Sequence, residues 1–465
     1  MWKSDRIEGI LVHIPWMTVL CLLMFFAVRF ADERLYADSG YYLLRTINEG
    51  SFHIEHGRWV LAIAEAPALV ASLLGTSMDA VIVVYSITNI LFLALGIAYA
   101  LFVLEDRRTA LLLAMIHVIG LAHGLFCPVF ELYYGVALLV LCIATVWNTH
   151  VRSKYRAVLS FLLFIGALSS HPMVWALILG SLLLLNPSQR RSILRPALVI
   201  MIAFAMFRGF TMSAYEAGQL AFLQRFAFPA LVVGLLAPDV LMEQARRIIL
   251  HYPDVLVLST FCVVVLWWNR QRRAAIIHLL GLFALYLAVG LYLPEPTHDR
   301  YREQVDFAFT AWTFIVILLS VWEITVWRPA LLTVFVACLG FRLAYIGSIA
   351  PSYSARTTWE KELIADARHQ GMHKAIIDPM NTAFGTLDDR VAPYWSLGVE
   401  SLLLSAKDGP ERAVSIITTD DLQCPGVPEN LDKVVMRCWD VLDPEALSAR
   451  YFQLGSGSYF RLPER

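Results

Sequence analysis

The chain has 465 residues, 58% of them hydrophobic and 16% charged, with a mean hydropathy of +0.62. A soluble domain carries about a quarter charged residues, so an ordinary soluble protein is excluded, and a formal net charge of −1 offers no basic surface for nucleic acid. Runs near the roughly 20 apolar residues needed to cross a bilayer core recur throughout, which predicts a polytopic helical membrane protein.

In chain order, Met1 to Glu8 does not read as the start of a cleavable signal. The run 10–30 is long and lacks a small-residue cleavage site, so it reads as a retained first helix. Straight after it comes the polar stretch YADSGYYLLRTINEGSFHIEHGRWV, Tyr36 to Val60. Further apolar runs follow at 79–104, 109–127, 132–148, 157–170, 172–186, 195–211, 254–269, 275–293, 306–326 and 329–349. One more, 59–74, contains Glu65 and Pro67. With that run left out, alternate loops are rich in Lys and Arg: Lys3 and Arg6, Arg107 and Arg108, Arg152 to Arg156, Arg190 to Arg195, Arg270 to Arg273, and Arg328. The positive-inside rule assigns these to the cytoplasm and predicts about eleven crossings, with 59–74 lying in the outer interface or re-entering. The N-terminus is then inside. The first loop, the turns near Glu131 and His171, the loops 212–253 and 294–305, and the tail from 350 share the outer side.

The tail mixes helical patterns (Thr358 to His369, Glu445 to Phe452) with β-like runs (KAIID, AVSIITT, KVVMRCW), which predicts a small α/β domain over 350–465 beside a transmembrane domain over 1–349. Cys21, Cys142, Cys262 and Cys338 lie within apolar runs and Cys127 at the end of one, as small buried hydrophobes do. Cys424 and Cys438, in the polar tail, are free to pair or not on spacing alone.

The polar clusters worth weighing fall on the predicted outer side. The first loop offers Asp32, Glu33, Asp38, His53, His56 and Arg58, with Asp38 and Tyr42 on one helical face. Glu131 lies within PVFELYYG, His171 precedes Pro172, and PEPTHDRYREQ carries His298, Asp299, Arg300, Arg302 and Glu303. A carboxylate at the membrane surface can deprotonate a hydroxyl or amine. Two carboxylates from different loops, such as Asp38 and Glu131, can hold a divalent cation, Mg or Mn. Arginines at outer helix ends can hold a lipid phosphate. Each has a plainer reading: Asp32 and Glu33 as solvated loop acids, His53 and His56 as interfacial polar groups, His171 as a helix cap, and Arg300 and Arg302 as polar loop.

The pattern ADSGYYLLRTINEG, the apolar segment RWVLAIAEAPALVASLLG and the late HDRYREQ resemble the GT-C superfamily of polyprenyl-phosphate-dependent membrane glycosyltransferases, in particular its protein O-mannosyltransferase and lipid A aminoarabinose transferase branch. The resemblance implies a catalytic acid after helix 1, interfacial helices in the first outer loop and an outer soluble domain. Asp38, Tyr42 and Gly50 match that loop in order. Asp38 is followed by Ser39, whereas the acidic pair Asp32-Glu33 begins six residues earlier, and the interfacial segment has Pro67 but no Pro-Pro at its start.

The resemblance carries a general-base role onto Asp38, with Asp32 and Glu33 in reserve. Phosphate contact falls to Arg300 and Arg302, with Tyr42, His56, Arg58, His171 and His298 lining the substrates and Glu131 as metal ligand or acceptor positioner. The implied protein sits in a bacterial inner membrane with its tail in the periplasm. It moves a sugar from a polyprenyl phosphate carrier to a glycan, lipid or protein acceptor. A surface-polysaccharide polymerase or ligase is the enzymatic alternative, and the short 294–305 loop weighs against it. A transporter or flippase is the alternative of another class, and the scarcity of charge within the apolar runs weighs against it. The enzymatic reading requires that Asp38, Glu131 and the 294–305 loop line one cavity.

Overall fold

The computed structural model describes all residues except 1, 215, 219–220, 222–232, 293–298, 379–386, 389–390, 392–394, 438–439 and 464–465. Helices dominate. They are α1 (Trp2–Arg29), α2 (Asp38–Glu49), α3 (Leu61–Leu73), α4 (Met78–Ala98), α5 (Arg107–Ile116), α6 (Glu131–Trp147), α7 (Ser153–Leu168), α8 (Pro172–Leu184), α9 (Pro187–Phe210), α10 (Pro238–His251), α11 (Pro253–Trp268), α12 (Arg272–Tyr292), α13 (Asp299–Leu319), α14 (Arg328–His369) and α15 (Leu397–Ser405). Among the described residues five helical segments are long and apolar enough to cross a membrane. The count is six if α10 and α11, bent by 99° at Tyr252, form one span. The chain is therefore a helical membrane protein. Several shorter apolar helices, α6 and α8 among them, account for the gap from the eleven runs read in the sequence.

Two departures from the sequence reading matter for the site. Run 109–127 forms no single helix: α5 stops at Ile116, and the chain continues through turns and a 3-10 turn, His123–Phe126. This stretch is buried, so its amides need partners inside the protein. Carboxylates on neighbouring helices supply them. Asp254 accepts from the Gly120 amide at 3.0 Å, and Glu303 accepts from Ala122 and Gly124 at 2.8 and 2.5 Å. Gly120 holds a φ of +78°, and a Cβ there would lie 2.1 Å from Thr310 Oγ1. Run 59–74 forms the 13-residue α3, about 20 Å long.

The second departure concerns the tail. α14 runs 42 residues without a break, so residue 350 lies within a helix rather than at a domain edge. Beyond it, strands β1 (Lys374–Ile377), β2 (Ser415–Thr418) and β5 (Phe460–Arg461) form a parallel sheet in the order β2-β1-β5, and β3 (Val434–Arg437) pairs antiparallel with β4 (Asp440–Leu442). β1, β2 and β3 match the β-like runs, whose β-branched residues favour the pleat. α15 crosses between β1 and β2 and packs on β2, β3, α2 and α14. Glu445 to Phe452 is not helical: a 3-10 turn at Pro444–Ala446 gives way to a turn, and the Tyr451 hydroxyl donates to Thr76 O at 3.0 Å. Cys424 is disulfide-bonded, and Cys438 lies outside the described residues.

The Gly120 geometry gives a direct test. Gly120→Ala should lower stability by about 1–3 kcal/mol, read as a reduced thermal midpoint of the detergent-solubilised protein. An unchanged midpoint would mean that this turn does not constrain the fold.

Candidate active site in the first loop

After α1 the chain passes through a 3-10 turn (Glu33–Leu35) and starts α2 at Asp38. The start is fixed by strain and by the tail. Ala37 adopts φ 56°, ψ −126°, a conformation that an alanine holds only when its surroundings enforce it. Its amide donates to Glu400 Oε1 at 2.7 Å. Glu400 is buried in α15, and its other oxygen pairs with Arg356, which also holds Glu360 at 2.6 Å. Gly40 lets α2 approach: a Cβ there would lie 2.6 Å from Leu35 O and 3.4 Å from Glu400 Cγ.

Asp38 stands at the N-terminus of α2, where unpaired amides favour an anion. Its Oδ2 accepts from Arg300 Nη1 at 3.1 Å, across 262 residues of sequence. The Arg300 side chain is fully buried and that of Asp38 is 26% exposed, so the acid is the open end of the pair. Arg300 Nη2 also contacts Cys127 Sγ at 2.8 Å, at the end of the broken segment, and the guanidinium lies 4.7 Å from the Tyr301 ring centroid. Cation–aromatic contact of this kind makes burial of the guanidinium less costly.

A second ion pair joins Arg58 to Glu131 at 2.6 Å. A third cluster centres on Glu55, which accepts from the Tyr42 hydroxyl at 2.9 Å and faces His53 at 3.2 Å, His56 at 3.7 Å and Arg437 of β3 at 3.5 Å. Burial works against a charged Glu55, but the His53 hydrogen bond, the Arg437 charge and the Tyr42 hydroxyl outweigh it and bring its pKa down to about 2. Burial followed by the charges of Glu131, Glu55 and Asp38 raises the Tyr42 phenol well above its usual range. Tyr42 thus donates to the third cluster and feels the charges of the other two.

The remaining candidates are elsewhere. Asp32 is clamped by Lys361 and Lys407 at 2.7 and 2.8 Å, and Glu33 accepts from Ser354 at 2.9 Å, so both acids face α14 and the tail. Arg302 points to Gln244 at 3.1 Å and Asp306 at 3.4 Å on the side of α10. His171 caps α8, accepting from the Met173 amide at 3.2 Å, which is the plainer reading of that residue. His56 Nδ1 meets Ser213 Oγ at 3.3 Å. His298 lies outside the described residues, as does most of the 294–305 loop's first half.

Sequence reasoning missed Glu55, Cys127, Glu400 and Arg437. Glu55 was visible within HIEHG. Cys127 was visible too, but an apolar neighbourhood reads as packing. Glu400 and Arg437 lie hundreds of residues from the loop they hold, and no local pattern marks them. Asp38 and Glu131 each face an arginine, and no group of three or more His, Cys, Asp or Glu side chains gathers for a metal among the described residues.

No protein-family model, curated protein or solved structure matches the chain.

The Glu55 network has a signed pH dependence. A carboxyl at about 2 when folded, against an ordinary 4.5, adds stability that is present above pH 4.5 and is lost as pH falls toward 2. Glu55→Gln should therefore lower the thermal midpoint at pH 7 and flatten its fall between pH 4.5 and 2. A variant that keeps the wild-type acid dependence would assign it to other groups.

Proposed function

We propose that this chain is a GT-C-type membrane glycosyltransferase that moves a sugar from a polyprenyl phosphate carrier to a glycan, lipid or protein acceptor. The observation that carries the reading is the Asp38–Arg300 pair. One member follows the first apolar helix and the other opens a late one. The sequence marks them separately as candidate base and candidate phosphate contact, and they meet at 3.1 Å. In this reading the carrier phosphate takes over Arg300 and frees the Asp38 carboxylate. The acceptor oxygen attacks the anomeric carbon as its proton passes to Asp38. The bond from that carbon to the phosphate oxygen breaks, and the electron pair leaves on the carrier phosphate, whose charge Arg300 meets. Arg58 and Glu131 shape the acceptor side around Tyr42. The arginine-rich loops support about eleven crossings, a cytoplasmic N-terminus, and a site and tail on the periplasmic face of a bacterial inner membrane.

A transporter remains the second reading because charge does lie within the helices. Arg342 of α14 and Asp254 of α11 form a fully buried pair, and α10 and α11 meet at a sharp bend. The pair is tied further into the backbone, however: Asp254 also accepts from Gly120, and Arg342 also donates to His251 O at 2.9 Å. That is the arrangement of a structural lock on the broken segment.

The test is chemical turnover. The purified protein, given polyprenyl-phosphate-linked sugars and a membrane extract as acceptor, should release polyprenyl phosphate, and Arg300→Lys should lower the rate by about 10²–10³-fold. Absence of release with every donor, alongside donor movement across proteoliposomes, would favour transport.

A further inference from the structure

α6 and α13 begin beside the candidate site, at Glu131 and Asp299, and end far from it, at Trp147 and Leu319. Against their far halves lies an apolar groove of about 400 Å³, walled also by α7, α8 and α9, with Leu139, Ile143, Phe161, Phe164, Leu182 and Ile200 in its lining. The wall of α6 from Leu139 to Trp147 is about 12 Å long at the α-helical rise, against roughly 15 Å for half of a bilayer core.

The groove does not end blind. Trp147, Leu185 and Leu319 also line a second cavity of about 520 Å³, whose lining adds Arg108, Asn186, Gln271, Arg273, Ser320 and Glu323. Arg108 pairs with Glu323 at 2.6 Å, and the Glu323 side chain, 63% exposed, has room to swing out. Asp106, 3.6 Å from Arg108, caps α5 and is not part of the lining. Arg273 donates to Leu183 O and Leu185 O at 2.8 and 3.4 Å, and among the described residues no carboxylate pairs with it. The lining thus sets two guanidinium groups against one carboxylate. At the junction of the two spaces, the Trp147 indole nitrogen is buried with no hydrogen-bond partner among the described residues.

A buried N–H without an acceptor is costly, and cationic donors in excess of acids suit a phosphate. An apolar slot one leaflet deep, opening onto such a cavity, matches a molecule with a long chain and a phosphate. A free phosphate would leave the slot empty. An isoprenoid phosphate would fill it but bring no ester carbonyl to the indole.

We propose that the joined cavities hold one anionic glycerophospholipid of the leaflet opposite Asp38. One acyl chain lies in the groove, the phosphate meets Arg108 and Arg273 in place of Glu323, and an ester carbonyl accepts from the Trp147 indole. The inference stands apart from the glycosyltransferase reading, since the lipid sits at the other end of the helices and takes no part in turnover.

The test is native mass spectrometry of the full-length protein, delipidated in detergent and titrated with phosphatidylglycerol, phosphatidylethanolamine, polyprenyl phosphate or inorganic phosphate. One phosphatidylglycerol per chain should be retained, about tenfold more tightly than the others, and Arg273→Gln should weaken it by about tenfold. Ala157→Trp, at an exposed position on the groove wall, should abolish retention while the thermal midpoint of the delipidated protein holds. Retention undiminished in either variant would overturn the site. Phosphatidylethanolamine or inorganic phosphate binding as tightly would overturn the anionic lipid, and polyprenyl phosphate binding more tightly would overturn the glycerophospholipid.

Discussion

A guanidinium with no exposure, Arg300, facing a carboxylate that keeps an open edge, Asp38, is the contact on which the site depends. A buried arginine is tolerated only when charge and hydrogen bonds are returned to it. Asp38 returns the charge, while Cys127 accepts from Nη2 and the Tyr301 ring lies against the guanidinium. Each of these is positioned by something further away. Cys127 ends the broken segment after α5, which is held by Glu303 and Asp254. Glu303 lies one turn from Arg300 on α13, so one helix carries both the site's cation and the support for the cation's other neighbour.

The tail belongs to the same construction. Glu400 reaches back to the strained Ala37 amide and sets where α2, and therefore Asp38, begins. Arg437 closes on Glu55 and lies 3.1 Å from the Tyr41 ring centroid. Lys407 ties Asp32 to Asp79 at 2.8 and 2.7 Å. These contacts make the α/β unit a clamp on the first loop. Asp32 is spent on Lys361 of α14 and Lys407 of the tail, and Glu33 on Ser354 of α14, whereas Asp38 keeps an exposed edge.

Much of this was legible in local pattern. The apolar runs at 79–104, 195–211 and 275–293 have their helices, three β-like runs have their strands, and Asp38, Tyr42 and Gly50 start, line and stop α2. Gly50 ends it in the left-handed conformation at φ +61°, as a glycine stop signal requires. What local pattern could not carry was long-range. Hydropathy alone reads 109–127 as a helix, because the carboxylates that satisfy its open backbone come from α11 and α13. The tail's hold on Ala37 spans 363 residues. Arg342, a lone charge in an apolar run, was visible but became meaningful only beside Asp254.

The most direct test of the account is complementation of a deletion strain with Asp38→Asn, reading surface glycans by mass spectrometry with membrane levels of the variant checked. Loss of one sugar from a defined glycan, in both the deletion and the variant at normal protein level, is the predicted result. A glycan profile restored by Asp38→Asn would contradict the assignment of Asp38 as the base, and a profile unchanged even by the deletion would contradict the transferase itself.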